Sequence, residues 1–242
     1  MTASLLKKGM VITLESPEIT ELLSKTLDWL WLDMEHSTLS AKDIRNHLMV
    51  KSSSCLGMVR VPSIEAGIVK RVLDAGADGI IFPYVSTLEE AHQAVKIAWY
   101  PPLGHRGIGG GRAQGYGKST AHYMQQLEHT LQVWLQIETL EGVALAETFA
   151  QIPGVTGLIL GPYDLSASMG IVGEMNHPDL HAKIAHVLSV AQAHGKQAGM
   201  YCPTPESATL WASKGATWIA MGNDLSHMSF SVHHQWTGVN VS

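Results

Sequence analysis

The sequence predicts an α/β fold of the closed (β/α)8 TIM-barrel type, and three observations predict it. Eight short apolar runs recur through nearly the whole chain, with helical patterns between them. Strands that alternate with helices build βαβ units and a parallel sheet. Eight such units in 242 residues suit a closed barrel, and no G-x-G-x-x-G follows the first strand to support an open dinucleotide-binding sheet.

The strands are expected at 10–15, 29–35, 55–61, 79–83, 133–138, 157–161, 197–202 and 218–222. Helices are expected at 63–75, 87–99, 139–151, 177–194 and 204–215. Several helices open on a hydroxyl residue with an acid in the first turn, as in Ser16-Pro17-Glu18, Thr87-Leu88-Glu89 and Thr204-Pro205-Glu206. Ala75-Gly76-Ala77 and Lys214-Gly215-Ala216 read as helix ends leading into the next strand. Two connections are longer than the rest: 100–131, with a short helix near 121–129, and 162–176. No low-complexity tract or linker interrupts the pattern, so 1–242 reads as one domain.

Composition narrows the function. With 45% hydrophobic and 15% charged residues, 7 Trp and 11 Met, the chain can bury a large core, which excludes disorder. A net charge of −5 without a basic run argues against nucleic acid and polybasic membrane surfaces as partners. No apolar run is long enough to span a bilayer, and the amino-terminal stretch meets an acid before any signal-type apolar region. Cys55 and Cys202 lie far apart with no CxxC spacing, which points to reduced thiols in a cytoplasmic protein.

In such a barrel, catalytic residues sit at the carboxyl ends of the strands. Strand two ends Asp33-Met34-Glu35-His36, strand three carries Arg60, strand five ends Gln136-Ile137-Glu138, and strand six runs into Gly161-Pro162-Tyr163-Asp164. Alternation puts Asp33 with Glu35, and Gln136 with Glu138, on one face of their strands. Each has a structural alternative: Glu138 as an ion-pair partner, Asp164 as a helix cap, Arg60 as a buried pair between strands. Their coincidence at one rim favours a site. Two carboxylates without a supporting His or Cys ligand suit a hard cation such as Mg²⁺ or Mn²⁺. An ion of that kind acts as a Lewis acid on a carbonyl, an Arg stabilises a developing oxyanion, and a His moves a proton near neutrality. Together they read as enolate chemistry. None of the 11 lysines ends a barrel strand, which disfavours an imine route.

Asp33-x-Glu35-His36, Val59-Arg60-Val61-Pro62, Tyr100-Pro101-Pro102-x-Gly104-x-Arg106-Gly107, Gln136-Ile137-Glu138-Thr139 and Gly161-Pro162-x-Asp164-Leu165-Ser166 occur in fixed order. In that order and spacing the chain resembles the HpcH/HpaI aldolases, metal-dependent class II pyruvate aldolases acting on 4-hydroxy-2-oxo acids, over about 9–226. The resemblance implies Glu138 and Asp164 as ligands of a divalent ion (Mg²⁺, Mn²⁺ or Co²⁺). It implies Gln136, the backbone at Gly161, Pro162 and Tyr163, and Asp164 as the pyruvate site. Arg60 would stabilise the enolate and His36 would be the general base. Asp74, fourteen residues after Arg60, is implied as the acid that raises the basicity of His36; closing helix three, it either reaches the site from a neighbouring subunit or is an exposed helix-end acid, and Asp33 is the alternative orienter. The family is a homo-oligomer, a hexamer or trimer of dimers with an exchanged last helix. The short, histidine-rich segment 227–242 weakens that last inference here. Tyr163 stands where many members carry a small residue, which makes the mouth narrower or more polar. The Gly109-Gly110-Gly111 run between Arg106 and Arg112 reads as a lid or as an anion cradle.

The expected activity is thus cleavage of a 4-hydroxy-2-oxo acid to pyruvate and an aldehyde. Alternatives on the same fold are an acyl-CoA lyase of the citramalyl- or malyl-CoA type, disfavoured by the negative charge, and oxaloacetate decarboxylation. A phosphate-binding barrel would need a glycine-rich loop after strand seven or eight. Those strands end instead in Tyr201-Cys202-Pro203-Thr204 and Met221-Gly222-Asn223-Asp224. A binding module without catalysis fits the acid, arginine and histidine set least well.

Overall fold

The computed structural model describes residues 6–239; residues 1–5 of the amino-terminal reading and 240–242 of the histidine-rich segment lie outside the described residues. Eight parallel strands close in sequence order: β1 (Lys7–Ile12), β2 (Trp29–Asp33), β3 (Leu56–Arg60), β4 (Gly79–Phe82), β5 (Gln132–Ile137), β6 (Gly157–Leu160), β7 (Gln197–Cys202) and β8 (Trp218–Asn223). The helices are α1 (Pro17–Leu23), α2 (Ala41–Val50), α3 (Ala66–Asp74), α4 (Leu88–Ala98), α5 (Thr120–Thr130), α6 (Leu140–Gln151), α7 (Pro162–Ser168), α8 (Pro178–Ala193), α9 (Pro205–Ser213) and α10 (Asp224–Thr237). The fold class is the one that the alternation of elements predicts.

Alternation along each strand sorts the core into two layers. Inward residues Trp29, Trp31, Met58, Ile81, Trp134, Ile159 and Trp218 fill the barrel, with the Trp134 and Trp218 rings 5.0 Å apart. Outward residues such as Leu30, Leu32, Val59, Ile80, Leu135 and Leu160 meet the helices. Glycine makes room for the indoles: a Cβ on Gly9 would overlap the Trp29 ring, and one on Gly199 the Trp134 ring. The inward positions then change character towards the carboxyl ends, from Trp31 to Asp33, Met58 to Arg60 and Trp134 to Gln136. Apolar packing closes the floor of the barrel, and polar groups gather above it.

Several elements differ from the sequence reading, α7 among them, which occupies the start of the connection expected at 162–176. β1 starts three residues before the expected 10–15, with Gly9 opposite Trp29. It stops at Ile12 because the Thr13 and Leu14 N–H groups donate to the Asp224 carboxylate, at 2.8 and 2.9 Å, and not to a neighbouring strand. The segment after β8 is a fourteen-residue helix, α10, opened by a capping box between Asn223 and Ser226. Beyond Asp224 it stands clear of its own barrel, with Phe230 71% and Trp236 70% exposed. The histidines obscure a helix whose apolar residues are exposed among the described residues. Helix α2, over 41–50, adds to the helices expected, and its capping box pairs Ser40 with Asp43.

Candidate active site

The strand-end residues converge on a cavity of about 260 Å³ lined by Asp33, His36, Arg60, Gln136 and the Gly161-to-Asp164 segment. Register explains the meeting of Asp33 and Arg60. They are opposite residues on β2 and β3, and both point inward. Arg60 Nε donates to Asp33 Oδ1 at 2.8 Å and Nη2 donates to Oδ2 at 2.7 Å. The third nitrogen, Nη1, lies 2.9 Å from Glu35 Oε2, and the guanidinium sits 5.0 Å above the Trp31 ring. Burial opposes the charge on Arg60, but Asp33 and Glu35 outweigh it and raise its pKa above the ordinary value. A guanidinium locked on two carboxylates is a fixed positive charge in a largely dry site.

Asp33 thereby faces Arg60, and among the described residues no hydrogen bond joins its carboxylate to the His36 ring. Besides Arg60, its Oδ1 accepts from the Glu35 N–H at 3.0 Å and the His36 N–H at 3.4 Å, fixing the turn that carries the histidine. The carboxylate facing the imidazole is Glu35, whose Oε2 lies 3.8 Å from Nε2. Burial pushes the Glu35 carboxyl up, against Arg60 and His36. His36 itself is exposed at the rim.

Glu138 follows β5 on the same face as Gln136. It is 1% exposed, and neither carboxylate oxygen has a hydrogen-bond partner of ordinary geometry. Burial, then Asp164 and then Glu35 push its carboxyl up to about 8. Gly161 permits the approach of β6 here: a Cβ would lie 2.9 Å from Glu138 Cγ and 3.0 Å from Gln136 Nε2. Asp164 sits in the first turn of α7, half-buried. An unpartnered buried carboxylate beside a second one costs several kcal/mol unless a cation meets it. The donor set, two carboxylates and an amide, is that of a hard divalent ion. Among the described residues no group of three or more His, Cys, Asp or Glu is placed to hold a metal, so water and substrate would complete such a shell.

Asp74 is placed elsewhere in the chain. It ends α3 and accepts from Arg106 Nη2 at 2.6 Å and Gln114 Nε2 at 2.9 Å. The Gly109-to-Gly111 loop packs on it: a Cβ on Gly111 would lie 2.8 Å from Asp74 Cβ. The loop therefore covers nothing in its own chain's cavity. The Arg112 amino groups donate to the Ala75 and Leu48 carbonyls at 3.1 and 3.2 Å. With Arg106 on Asp74, the anion cradle loses both of its arginines. Tyr163 is 60% exposed at the rim.

The structure adds residues that the sequence reading passes over. Thr13, Tyr201 and Asn223 also line the cavity, from the ends of β1, β7 and β8. Tyr84, two residues past β4, reaches Asp164 with its hydroxyl, 3.2 Å from Oδ1. Applying the strand-end rule to all eight strands finds each of these.

Comparison with known proteins places this site in a family. The family profile described as HpcH/HpaI aldolase/citrate lyase matches residues 7–230. This chain belongs to the HpcH/HpaI aldolase/citrate lyase family. It is 38% identical over 228 residues to 5-keto-4-deoxy-D-glucarate aldolase of Shigella dysenteriae serotype 1 (strain Sd197), covering 93% of this chain and 89% of that protein. A solved structure of a HpcH/HpaI aldolase/citrate lyase family protein from Burkholderia cenocepacia J2315 superposes with a TM-score of 0.92 at 31% identity, covering 97% of this chain and 94% of that one. The HpcH/HpaI aldolase from Desulfitobacterium hafniense DCB-2 superposes at 0.88 with 26% identity, covering 99% and 96%. The protein is thus an enzyme, a carbon–carbon lyase of the class II aldolase type. No helix among the described residues is long and apolar enough to cross a membrane.

Proposed function

We propose that this aldolase cleaves a 4-hydroxy-2-oxo acid to pyruvate and an aldehyde, with a divalent cation (Mg²⁺, Mn²⁺ or Co²⁺) held by Glu138 and Asp164. The observation that carries the reading is Glu138, buried with both oxygens unpartnered beside Asp164. When bound, the cation supplies Lewis-acid polarisation of the 2-oxo group. Gln136 and the first N–H groups of α7, at Tyr163 and Asp164, have no intrahelical partner to satisfy and hold the pyruvate moiety with the Gly161-Pro162 backbone. Arg60, clamped by Asp33 and Glu35, presents its charge to the oxygen on which the enolate forms. His36 takes the proton of the C4 hydroxyl as the C3–C4 bond breaks. The bonding pair passes into the enolate, the aldehyde leaves, and the protonated His36 returns its proton to C3, giving pyruvate and restoring the base.

The relative's name supports a hydroxylated, sugar-derived oxo acid as the first substrate to try. Homo-oligomerisation, as a hexamer or trimer of dimers, is supported by the unpartnered apolar face of α10. In that assembly Asp74 reaches His36 from a neighbouring subunit. Buried free thiols at Cys55 and Cys202 suit a reducing, cytoplasmic setting.

The test is pyruvate release from a panel of 4-hydroxy-2-oxo acids, read with a coupled dehydrogenase. Activity should vanish with EDTA and return with Mg²⁺, Mn²⁺ or Co²⁺. Undiminished turnover after exhaustive chelation would contradict the reading.

A further inference from the structure

Tyr84 takes no part in the roles above, yet its backbone is held in an unusual conformation. Its φ is +54°, a left-handed conformation uncommon for a bulky side chain. Such conformations persist where the surroundings over-determine them, and they cluster at functional sites. The surroundings here are specific. Ser86 Oγ donates to the Tyr84 carbonyl at 3.2 Å and lies 2.8 Å from Thr139 Oγ1. Thr139 follows Glu138 directly and caps α6. At its other end, the Tyr84 hydroxyl donates to Asp164 Oδ1 at 3.2 Å. One turn is therefore fastened to both segments that carry the paired carboxylates.

Core packing does not account for this arrangement. Tyr84 is 48% exposed, so its ring fills little of the interior. The hydroxyl of a half-exposed tyrosine could be solvated at no cost; here it is committed to the Asp164 carboxylate, 80 residues away in sequence.

We propose that Tyr84 is a positioning residue for the cation site, its hydroxyl holding Asp164 by Oδ1 so that Oδ2 is the oxygen offered to the ion. The inference rests on the reading of Glu138 and Asp164 as the cation ligands. A carboxylate in the first turn of a short helix can rotate about its side-chain bonds, and close to Glu138 it is repelled from the geometry that a shared ion needs. A donor on one oxygen removes that freedom before the ion arrives. Hydrogen-bond partners of ligands commonly contribute 10- to 100-fold to metal affinity.

The experiment is titration of the full-length, chelator-stripped protein with Mn²⁺, followed by EPR, for wild type, Tyr84→Phe and Glu138→Gln. Tyr84→Phe should raise the Mn²⁺ Kd by about 10-fold or more and alter the line shape of the bound ion, while its Tm in EDTA stays at the wild-type value. Should that variant fold poorly, Tyr84→Asn serves in its place, because Asn tolerates left-handed backbone and is too short to reach Asp164; the same loss is expected. Wild-type Kd and line shape in a folded variant without the hydroxyl would overturn the proposal, whatever happens to KM. Undiminished Mn²⁺ binding by Glu138→Gln would instead overturn the cation assignment itself, and the proposal with it.

Discussion

Replacing Glu138 by Gln should stabilise the cation-free protein at pH 8 and leave its stability nearly unchanged near pH 4. In the folded chain the Glu138 carboxyl is pushed up from 4.5 to about 8. A raised acid binds its proton more tightly in the folded state. Its contribution is therefore intact below pH 4.5 and is lost as pH rises through about 8. At about 1.4 kcal/mol per pH unit, the displacement corresponds to roughly 4 kcal/mol of destabilisation at pH 8. Gln keeps the shape and carries no charge, so the variant escapes this loss. For a protein of this size the gain is on the order of 10 °C in Tm. The cation narrows the gap: at about a hundred times its Kd it stabilises wild type by about 2.7 kcal/mol, and the variant far less, so most of the variant's advantage at pH 8 disappears. Urea unfolding at fixed protein concentration, at pH 4 and pH 8, with EDTA or with Mn²⁺, reads all four cases. A variant less stable than wild type in EDTA at pH 8 would refute the reasoning, because Glu138 would then be a satisfied structural group.

Two further predictions address the neighbouring groups. Arg60→Ala should lower kcat by about 10²–10³ with a much smaller change in KM for the oxo acid. It also leaves the buried Asp33 and the half-buried Glu35 without their shared cation, at a stability cost of roughly 3–5 kcal/mol, so the assay belongs well below the variant's Tm; an effect confined to KM would demote Arg60 to substrate binding. If Asp74 serves His36 of an adjacent subunit, His36→Ala and Asp74→Asn proteins, each inactive alone, should regain activity after being dissociated and reassembled together. Absence of rescue in verified hybrids would return Asp74 to its structural contacts with Arg106 and Gln114.

The barrel was legible because each strand ends its apolar run at a turn signal, and because alternation alone separates inward from outward residues. The same rule brings Arg60, Gln136, Glu138 and Asp164 to one rim. It does not reveal the partners: Asp33 on Arg60, which depends on register between β2 and β3, and Glu35 against the His36 ring, which depends on the turn after β2. Tyr84 lay in view as a strand-end residue, but its left-handed backbone and its reach to Asp164 arise from the fold around it. The boundary of β1 shifted because an acid 211 residues away from Thr13 takes its N–H. Histidines along 227–234 mask α10, whose apolar residues are exposed among the described residues.

The central claim is that this rim makes the enolate of pyruvate with a divalent cation, Arg60 and His36. Exchange of the pyruvate methyl protons in D₂O, followed by NMR, tests it without knowledge of the aldehyde. The account predicts exchange by wild type with Mg²⁺ or Mn²⁺, none in EDTA, and its loss in Glu138→Gln, Arg60→Ala and His36→Ala. Exchange that persists in EDTA, or in Glu138→Gln at the wild-type rate, would contradict it.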